Sequence, residues 1–247
     1  MKILLKIRRK LYKIFHPPVG EILMLHRIVE NKSEDPTLGQ LEISPDFLEK
    51  TILNYTQKGY RLVNIDEVVT QLMSKKHPKQ AFVCFTFDDG FADNYELAYP
   101  ILKKYNCPFC IYVTSGFVNR THKAHWYIDD KKNEKDIILS TQQLLELSKD
   151  PLCTIGAHSV SHPRLTEITA EEQWKEIVNS KTELEELLKI SVKHFAYPHG
   201  DFNDEVIDLV RKSGMESAVI VNGGKVRKGD NDLFRLKRIL LNENYAI

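Results

Sequence analysis

The sequence predicts an α/β fold with parallel strands and helices outside them. Three observations carry this. Strand-like apolar runs alternate with stretches of helical periodicity along most of the 247 residues. The clearest run, 81–87 (Ala-Phe-Val-Cys-Phe-Thr-Phe), is apolar on both faces, as in a strand covered on both sides. Polar clusters follow several of these runs directly. Repeated βα units of this length form either a barrel or an open sheet, and both place their chemistry at the carboxyl ends of the strands.

Taken in order, residues 2–15 stand apart. Leu4, Ile7, Leu11 and Ile14 recur at helical spacing with cations between them. This is a helix packed on the domain or a basic amphipathic helix lying on an anionic membrane face. Pro17 and Pro18 end it. Residues 21–25 read as a strand. Ser44 is an N-cap with Pro45 at the first helical position, opening a helix to Gln57. A strand at 60–63 and a helix at 66–73 precede the apolar strand 81–87. Residues 92–105 read as helix and 109–113 as strand, and 117–138 form a long charged insertion. Ser140 and Thr141 open a helix to 148, and 153–157 is a strand. Thr169 caps a long helix to 188. Strand 193–197, helix 204–213, strand 217–221 and a mostly extended segment 233–241 complete the chain. No internal repeat or Gly/Ser linker interrupts it, so 19–247 is expected to be one domain after the 1–18 segment.

Composition removes several function classes. The 35 Lys and Arg balance 34 Asp and Glu, for a net charge of +1, without the basic excess of a nucleic-acid binder. The longest strong apolar run, 81–85, falls far short of the ~20 residues of a membrane span. The N-terminal cations interrupt any run of the roughly 7–15 apolar residues that an export signal needs. That predicts a cytoplasmic protein, with residues 2–15 available for peripheral contact at the inner membrane. Four cysteines are too few for a disulfide scaffold. Cys107 and Cys110 have redox spacing, but Cys110 opens an apolar strand, which favours two core thiols.

Three polar clusters fall at strand ends. The first is Thr86-Phe87-Asp88-Asp89-Gly90. Adjacent carboxylates at a buried strand end repel and lose solvation, a cost that a bound cation removes. Gly90 permits a sharp turn and close approach to a ligand. The second is His158-Ser159-Val160-Ser161-His162, in which two imidazoles four apart face one point from a single helical turn. Two histidines with a carboxylate leave positions open on a metal for water and substrate. The third is Phe195-Ala196-Tyr197-Pro198-His199-Gly200-Asp201, a loop tightened by Pro and Gly. Read singly, each cluster also fits a plain role: a helix cap, hydrogen-bonded histidines, a strand-to-helix loop.

Together, in this order and at these separations, the three clusters resemble the first three motifs of the polysaccharide deacetylases, the family-four carbohydrate esterases with the NodB homology domain. The resemblance spans roughly 20–240. It implies a distorted (β/α) barrel of about seven strands. It also implies Asp88 as general base and Asp89, His158 and His162 as ligands of a divalent metal, zinc first, with cobalt, nickel or iron as alternatives. The backbone N–H at His199 is placed to meet the oxyanion. Gly90, Tyr197, Pro198 and Gly200 are expected to contact substrate, an N-acetylated glycan. Trp126, in the insertion with Tyr127, offers a face for a sugar or pins the loop.

Two departures qualify the resemblance. The family carries an arginine that orients the base where this chain has Ala196, and an aromatic where it has His199. Arg235 and Arg238 are the candidates to take over the orienting task. No histidine follows His199 to serve as the late general acid. Met24-Leu25-His26-Arg27 instead resembles a permuted subgroup, including enzymes acting on poly-N-acetylglucosamine, in which the acid comes early. His26 is therefore the candidate acid, the plain alternative being a strand-end residue. The expected activity is metal-dependent removal of N-acetyl groups. The alternatives are a catalytically impaired carbohydrate-binding homologue and a metal-dependent acetyl-ester hydrolase.

Overall fold

The apolar run around residue 85 forms the centre of the structure. In a computed structural model describing residues 16–74, 78–124, 137–221 and 223–245, the strands are β1 (Pro18–Leu25), β2 (Arg27–Ile28), β3 (Glu42–Ile43), β4 (Arg61–Leu62), β5 (Phe82–Asp89), β6 (Phe109–Val113), β7 (Cys153–Ala157), β8 (His194–Ala196), β9 (Ser217–Val219), β10 (Val226–Arg227) and β11 (Ile239–Leu240). The expectations for residues 2–15 and for Trp126 and Tyr127 lie outside the described residues.

The main sheet runs β10-β1-β5-β6-β7-β8-β9, with β4 on β5 and β11 on β1. Every pairing from β1 to β9 is parallel, and only β10 joins antiparallel. The sheet curls into a half-barrel. The segment after β10 spans its open side: Leu236 bridges Val219 in parallel, and β11 pairs in parallel with β1. This is the distorted α/β barrel that the resemblance implied, its sheet a path of seven strands with β4 and β11 added beside β5 and β1.

Strand alternation sorts the side chains. Phe82 and Cys84 join Ile22, Cys110, Tyr112, Ala196, Val219 and Leu236 inside the barrel. Val83, Phe85 and Phe87 face outward into the larger layer shared with helical residues such as Leu48, Ile52 and Leu184. The helix Ile65–Met73, capped by the Asn64 side chain, adds Ile65, Val68 and Val69 to the interior cluster and plugs the amino-terminal end. Gly156 makes room for the Tyr112 ring, since a Cβ there would lie 2.5 Å from it.

Several expected elements differ in detail. The helix expected at 92–105 is a π-helical turn (Asn94–Ala98) followed by a short α-helix (Tyr99–Lys104). Pro100 has no N–H for a regular ladder, which accounts for the widened turn before it. The extended segment 233–241 begins with a 3-10 turn (Leu233–Arg235) and pairs only at Leu236 and Ile239–Leu240. The short helix Pro36–Gly39 and the β2–β3 pair form a small insertion over the barrel mouth that the periodicity did not reveal.

Candidate active site

Asp88 continues the inward-facing column of β5, after Cys84 and Thr86. It is 3% exposed, and Arg238 meets it as a fork: Nη1 donates to Oδ1 at 2.7 Å and Nη2 to Oδ2 at 2.7 Å. Arg238 is fully buried. It also donates to Thr86 Oγ1 at 3.1 Å and to the Ile220 carbonyl at 3.3 Å. Burial pushes the Asp88 carboxyl up, and the guanidinium beside it outweighs burial and holds it down at about 2. Asp88 is therefore ionised and fixed in orientation. Of the two arginine candidates, Arg238 reaches the carboxylate. Arg235 does not: it pairs with Asp232 at 2.8 Å and with Asp204 on the outside, 41% exposed.

Asp89 comes next in the chain, and strand alternation alone would turn it outward with Phe85 and Phe87. A φ of 75° turns it back. Aspartate tolerates this left-handed conformation better than most residues. Gly90, at φ 80°, completes the turn, with its hypothetical Cβ only in ordinary contact with Val113. The conformation, not the space, demands glycine, and Gly90 sits beneath the turn. Asp89 is 1% exposed, and neither carboxylate oxygen has a hydrogen-bond partner. His158 Nε2 lies 3.5 Å and His162 Nε2 3.4 Å from its Oδ1.

The two histidines do not share a helical turn, contrary to the reading of their spacing. They sit on a loop with Ser159 at φ 62° and His162 at φ 61°. The Ser159 hydroxyl accepts from His162 N at 2.9 Å, closing the loop on itself. His158 Nδ1, at 2.7 Å, donates to the Ala196 carbonyl, so its Nε2 lone pair faces Asp89. Burial lowers the pKa of both imidazoles, and neighbouring His158 and His199 add to this at His162. Burial and then the Asp88 charge raise Asp89 well above its usual range.

These residues fit a divalent cation. One oxygen and two neutral imidazole nitrogens lie within 4.8 Å of one another, the cluster of this kind among the described residues. Ligand bonds of about 2.0–2.2 Å at tetrahedral angles place donor atoms ~3.4 Å apart, which matches both Asp89–His separations. An unpartnered buried carboxylate is costly without such an ion.

The third cluster lies opposite. Tyr197 is buried and donates to the Phe234 carbonyl at 3.0 Å. Pro198 is buried, and His199 adopts φ 57° with its ring 4.4 Å from that of His162. Gly200 has φ 64°, and a Cβ there would strike Val221 Cγ2 at 2.2 Å. Four of the seven described non-glycine residues with positive φ, namely Asp89, Ser159, His162 and His199, thus surround one point, as strained backbone does at functional sites. His26 completes the ring, its Nδ1 buried without a hydrogen-bond partner. Burial lowers its pKa to about 4, against the opposing Asp88 charge. The cleft, open to solvent on one side, measures about 370 Å³, with Met24, Leu38, Leu41, Val221 and Leu240 as its apolar wall.

Comparison with known proteins agrees with this geometry. Residues 75–218 match the polysaccharide deacetylase family. The chain belongs to that family. It is 26% identical over 212 residues to the poly-β-1,6-N-acetyl-D-glucosamine N-deacetylase of Staphylococcus aureus, covering 86% of this chain and 72% of the relative. The Streptococcus pyogenes deacetylase PplD, solved with acetate, superposes with a TM-score of 0.79 at 28% identity, over 92% of this chain and 94% of that one. IcaB from Ammonifex degensii shares the fold, with a TM-score of 0.75 at 23% identity over 92% and 93%.

Within this polysaccharide deacetylase frame, some contributors escaped the sequence reading. Asn94 donates to the His26 carbonyl at 2.8 Å and to Asp93 at 3.0 Å, while Asp93 accepts from Ile28 N at 3.0 Å and Arg27 at 2.5 Å. This network ties the turn after β5 to the His26 backbone. Leu38 and Leu41 come from the insertion over the mouth; two leucines in an otherwise polar stretch were the available signal. Glu176, within a run that reads as an outward-facing acidic helix face, accepts three hydrogen bonds from the His158–His162 loop.

Proposed function

We propose that this chain is a metal-dependent hydrolase that removes N-acetyl groups from an N-acetylated glycan, with a β-1,6-linked glucosamine polymer as the first substrate to test. One observation carries the reading: the unpartnered, buried Asp89 carboxylate lies at ligand-to-ligand distance from two imidazoles, beside a carboxylate that Arg238 fixes as ionised. Asp89, His158 and His162 would hold the cation, zinc or cobalt by the chemistry of the donor set. When bound, it supplies a Lewis acid for the acetyl carbonyl and acidifies water at neutral pH.

The protein's own groups divide the remaining work. Asp88 accepts the proton of the attacking water, its lone pairs aimed by the Arg238 fork. Its low pKa keeps it available as a base throughout the neutral range. The backbone at His199, in its left-handed conformation, faces the oxyanion. His26 delivers a proton to the departing amine. Burial, only partly offset by the Asp88 charge, lowers its pKa to about 4, so the resting ring is neutral and the proton it delivers is one taken up in the course of the reaction, the proton that Asp88 draws from the attacking water. Met24, Leu38, Leu41 and Leu240 offer apolar contact to the acetyl methyl and the sugar face while keeping bulk water out. Ala196 replaces the family's orienting arginine, and Arg238 reaches the base from the segment just before β11. The case for an impaired homologue rests on that loss and on the missing late histidine, and the Arg238 fork speaks against the first of these.

The test is acetate release from β-1,6-linked N-acetylglucosamine oligomers. Activity should vanish after chelation and return with Zn²⁺ or Co²⁺. Full turnover by the chelated, metal-free protein would overturn the proposal.

A further inference from the structure

We propose that Glu176 is a positioning residue for the metal-ligating loop, and that its carboxylate holds the turn that aims His158 and His162 at Asp89. This inference rests on the metal-site reading above.

The loop needs an external brace. It departs from regular structure at Ser159 and at His162, both left-handed, so no helical ladder fixes the angle between the two rings. Between them, Val160 N and Ser161 N point the same way. Glu176 Oε2 accepts both, at 2.8 and 2.9 Å, and Oε1 accepts the Ser161 hydroxyl at 2.7 Å. One carboxylate thus satisfies three donors on two of the three residues that separate the histidines. The brace is itself anchored. Glu176 projects from the long helix Ala170–Leu188, started by a capping box between Thr169 and Glu172 and buried through Gln173, Ile177, Ser180 and Leu184. A rigid, packed element therefore sets the position of the oxygens. The other face of the loop is held by main-chain bonds, Ser115 N to the Ser159 carbonyl at 3.1 Å and Gly116 N to that of Val160 at 2.9 Å. Glu176 supplies the side-chain half of this grip. The three donors use both side-chain oxygens as acceptors, which a carboxylate supplies and an amide, whose nitrogen only donates, does not.

The inference separates from a general stabilising role by metal affinity. Cobalt binding is measured by visible absorbance titration of the full chain after chelation, together with the melting temperature of the metal-free protein. Glu176→Ala should weaken cobalt about 10–100-fold, as loss of groups that orient metal ligands does, and alter the absorption envelope. Glu176→Gln, which keeps size and one acceptor, should weaken it about tenfold, and it carries the test if the alanine variant does not fold. The comparator is Glu185→Gln. Glu185 sits on the same helix and also holds a backbone N–H, that of Val192 at 3.0 Å, away from the site. It should lower the melting temperature but leave cobalt affinity unchanged. Cobalt binding by both Glu176 variants within twofold of wild type would overturn the inference, as would equal weakening by Glu185→Gln. A wild-type chain that binds no cobalt at all would sink the metal-site reading itself, and this inference with it.

Discussion

The two ends of one barrel carry buried histidines and carboxylates in opposite conditions. At the amino end, His194 is 1% exposed, and both ring nitrogens are engaged: Nδ1 lies 2.8 Å from Ser217 Oγ and Nε2 lies 3.1 Å from Asp66. Glu21, 2% exposed and facing the helical layer, takes hydrogen bonds from Tyr55 at 2.6 Å and Tyr245 at 2.9 Å and pairs with Lys225 at 2.5 Å. At the carboxyl end, His158 has one engaged nitrogen, and Asp89 has no hydrogen-bond partner on either oxygen. The residue types and depths are alike. The difference is whether the protein completes the group's hydrogen bonds, and that separates a polar group kept for folding from one kept for a ligand. The Ser217–His194–Asp66 line shows the value of this criterion. It has the residue types of a nucleophilic triad, yet Ser217 is fully buried and is not among the residues that line the cavity at the carboxyl end.

The largest effect expected at the carboxyl end is on turnover. Asp88→Asn removes the proton acceptor while leaving the three ligand residues in place, so kcat should fall about 10²–10⁴-fold. Cobalt affinity should stay within a few-fold of wild type. Undiminished acetate release by the variant would remove Asp88 from its assigned role. Next comes a contrast in stability. Asp89→Asn replaces a buried carboxyl that the metal-free protein leaves without partners and whose charged form it disfavours. The metal-free variant should be no less stable than wild type in urea, while cobalt binding is lost. Marked destabilisation of the metal-free variant would mean that Asp89 belongs with Glu21, among the folding groups.

How much of this contrast was legible in the sequence depends on its range along the chain. The βα alternation and the strand 81–87 were readable because burial on both faces leaves a local, uninterrupted apolar run. The three clusters were readable because strand ends collect polar residues. The tightness of the Asp89 turn was not. Alternation assigns Asp88 and Asp89 to opposite faces, and only a φ of 75° brings both to one site. The spacing of His158 and His162 suggested a helical turn, because periodicity cannot reveal two left-handed residues in a loop. Arg238 was one of two candidates, and only the closing of the barrel by 236–241 decided between them. Glu21 and His194 were invisible as a pair of buried polar clusters, since their partners Tyr55, Lys225, Tyr245, Asp66 and Ser217 lie 23 to 224 positions away.

The folding carboxylate has a pH signature of its own. Burial pushes Glu21 up, but Lys225 and the Tyr55 and Tyr245 hydroxyls outweigh it and hold its pKa below the usual 4.5. A carboxyl lowered by folding contributes its full stability above the unfolded value and loses it as pH falls through the folded one. Glu21→Gln should therefore destabilise the protein by about 1–3 kcal/mol at pH 7. The gap from wild type should close as the pH drops below about 4.5, with acetate release at pH 7 unaffected. A gap that is constant across the acid range would show that the ionised form is not what the cluster stabilises.

The smallest effect tests the amino end most directly. Ser217→Ala removes one hydrogen-bond partner of a buried imidazole and leaves the Asp66 contact in place. The cost is that of a single buried hydrogen bond, about 1 kcal/mol. For a domain of this size that is a fall in melting temperature of about 2–4 °C. Turnover should be indistinguishable from wild type, because Ser217 is fully buried and the cavity lies at the other end of the strands. Loss of acetate release in a folded Ser217→Ala protein would make the amino-end histidine part of the chemistry, and hydrogen-bond completeness would no longer tell the two ends apart.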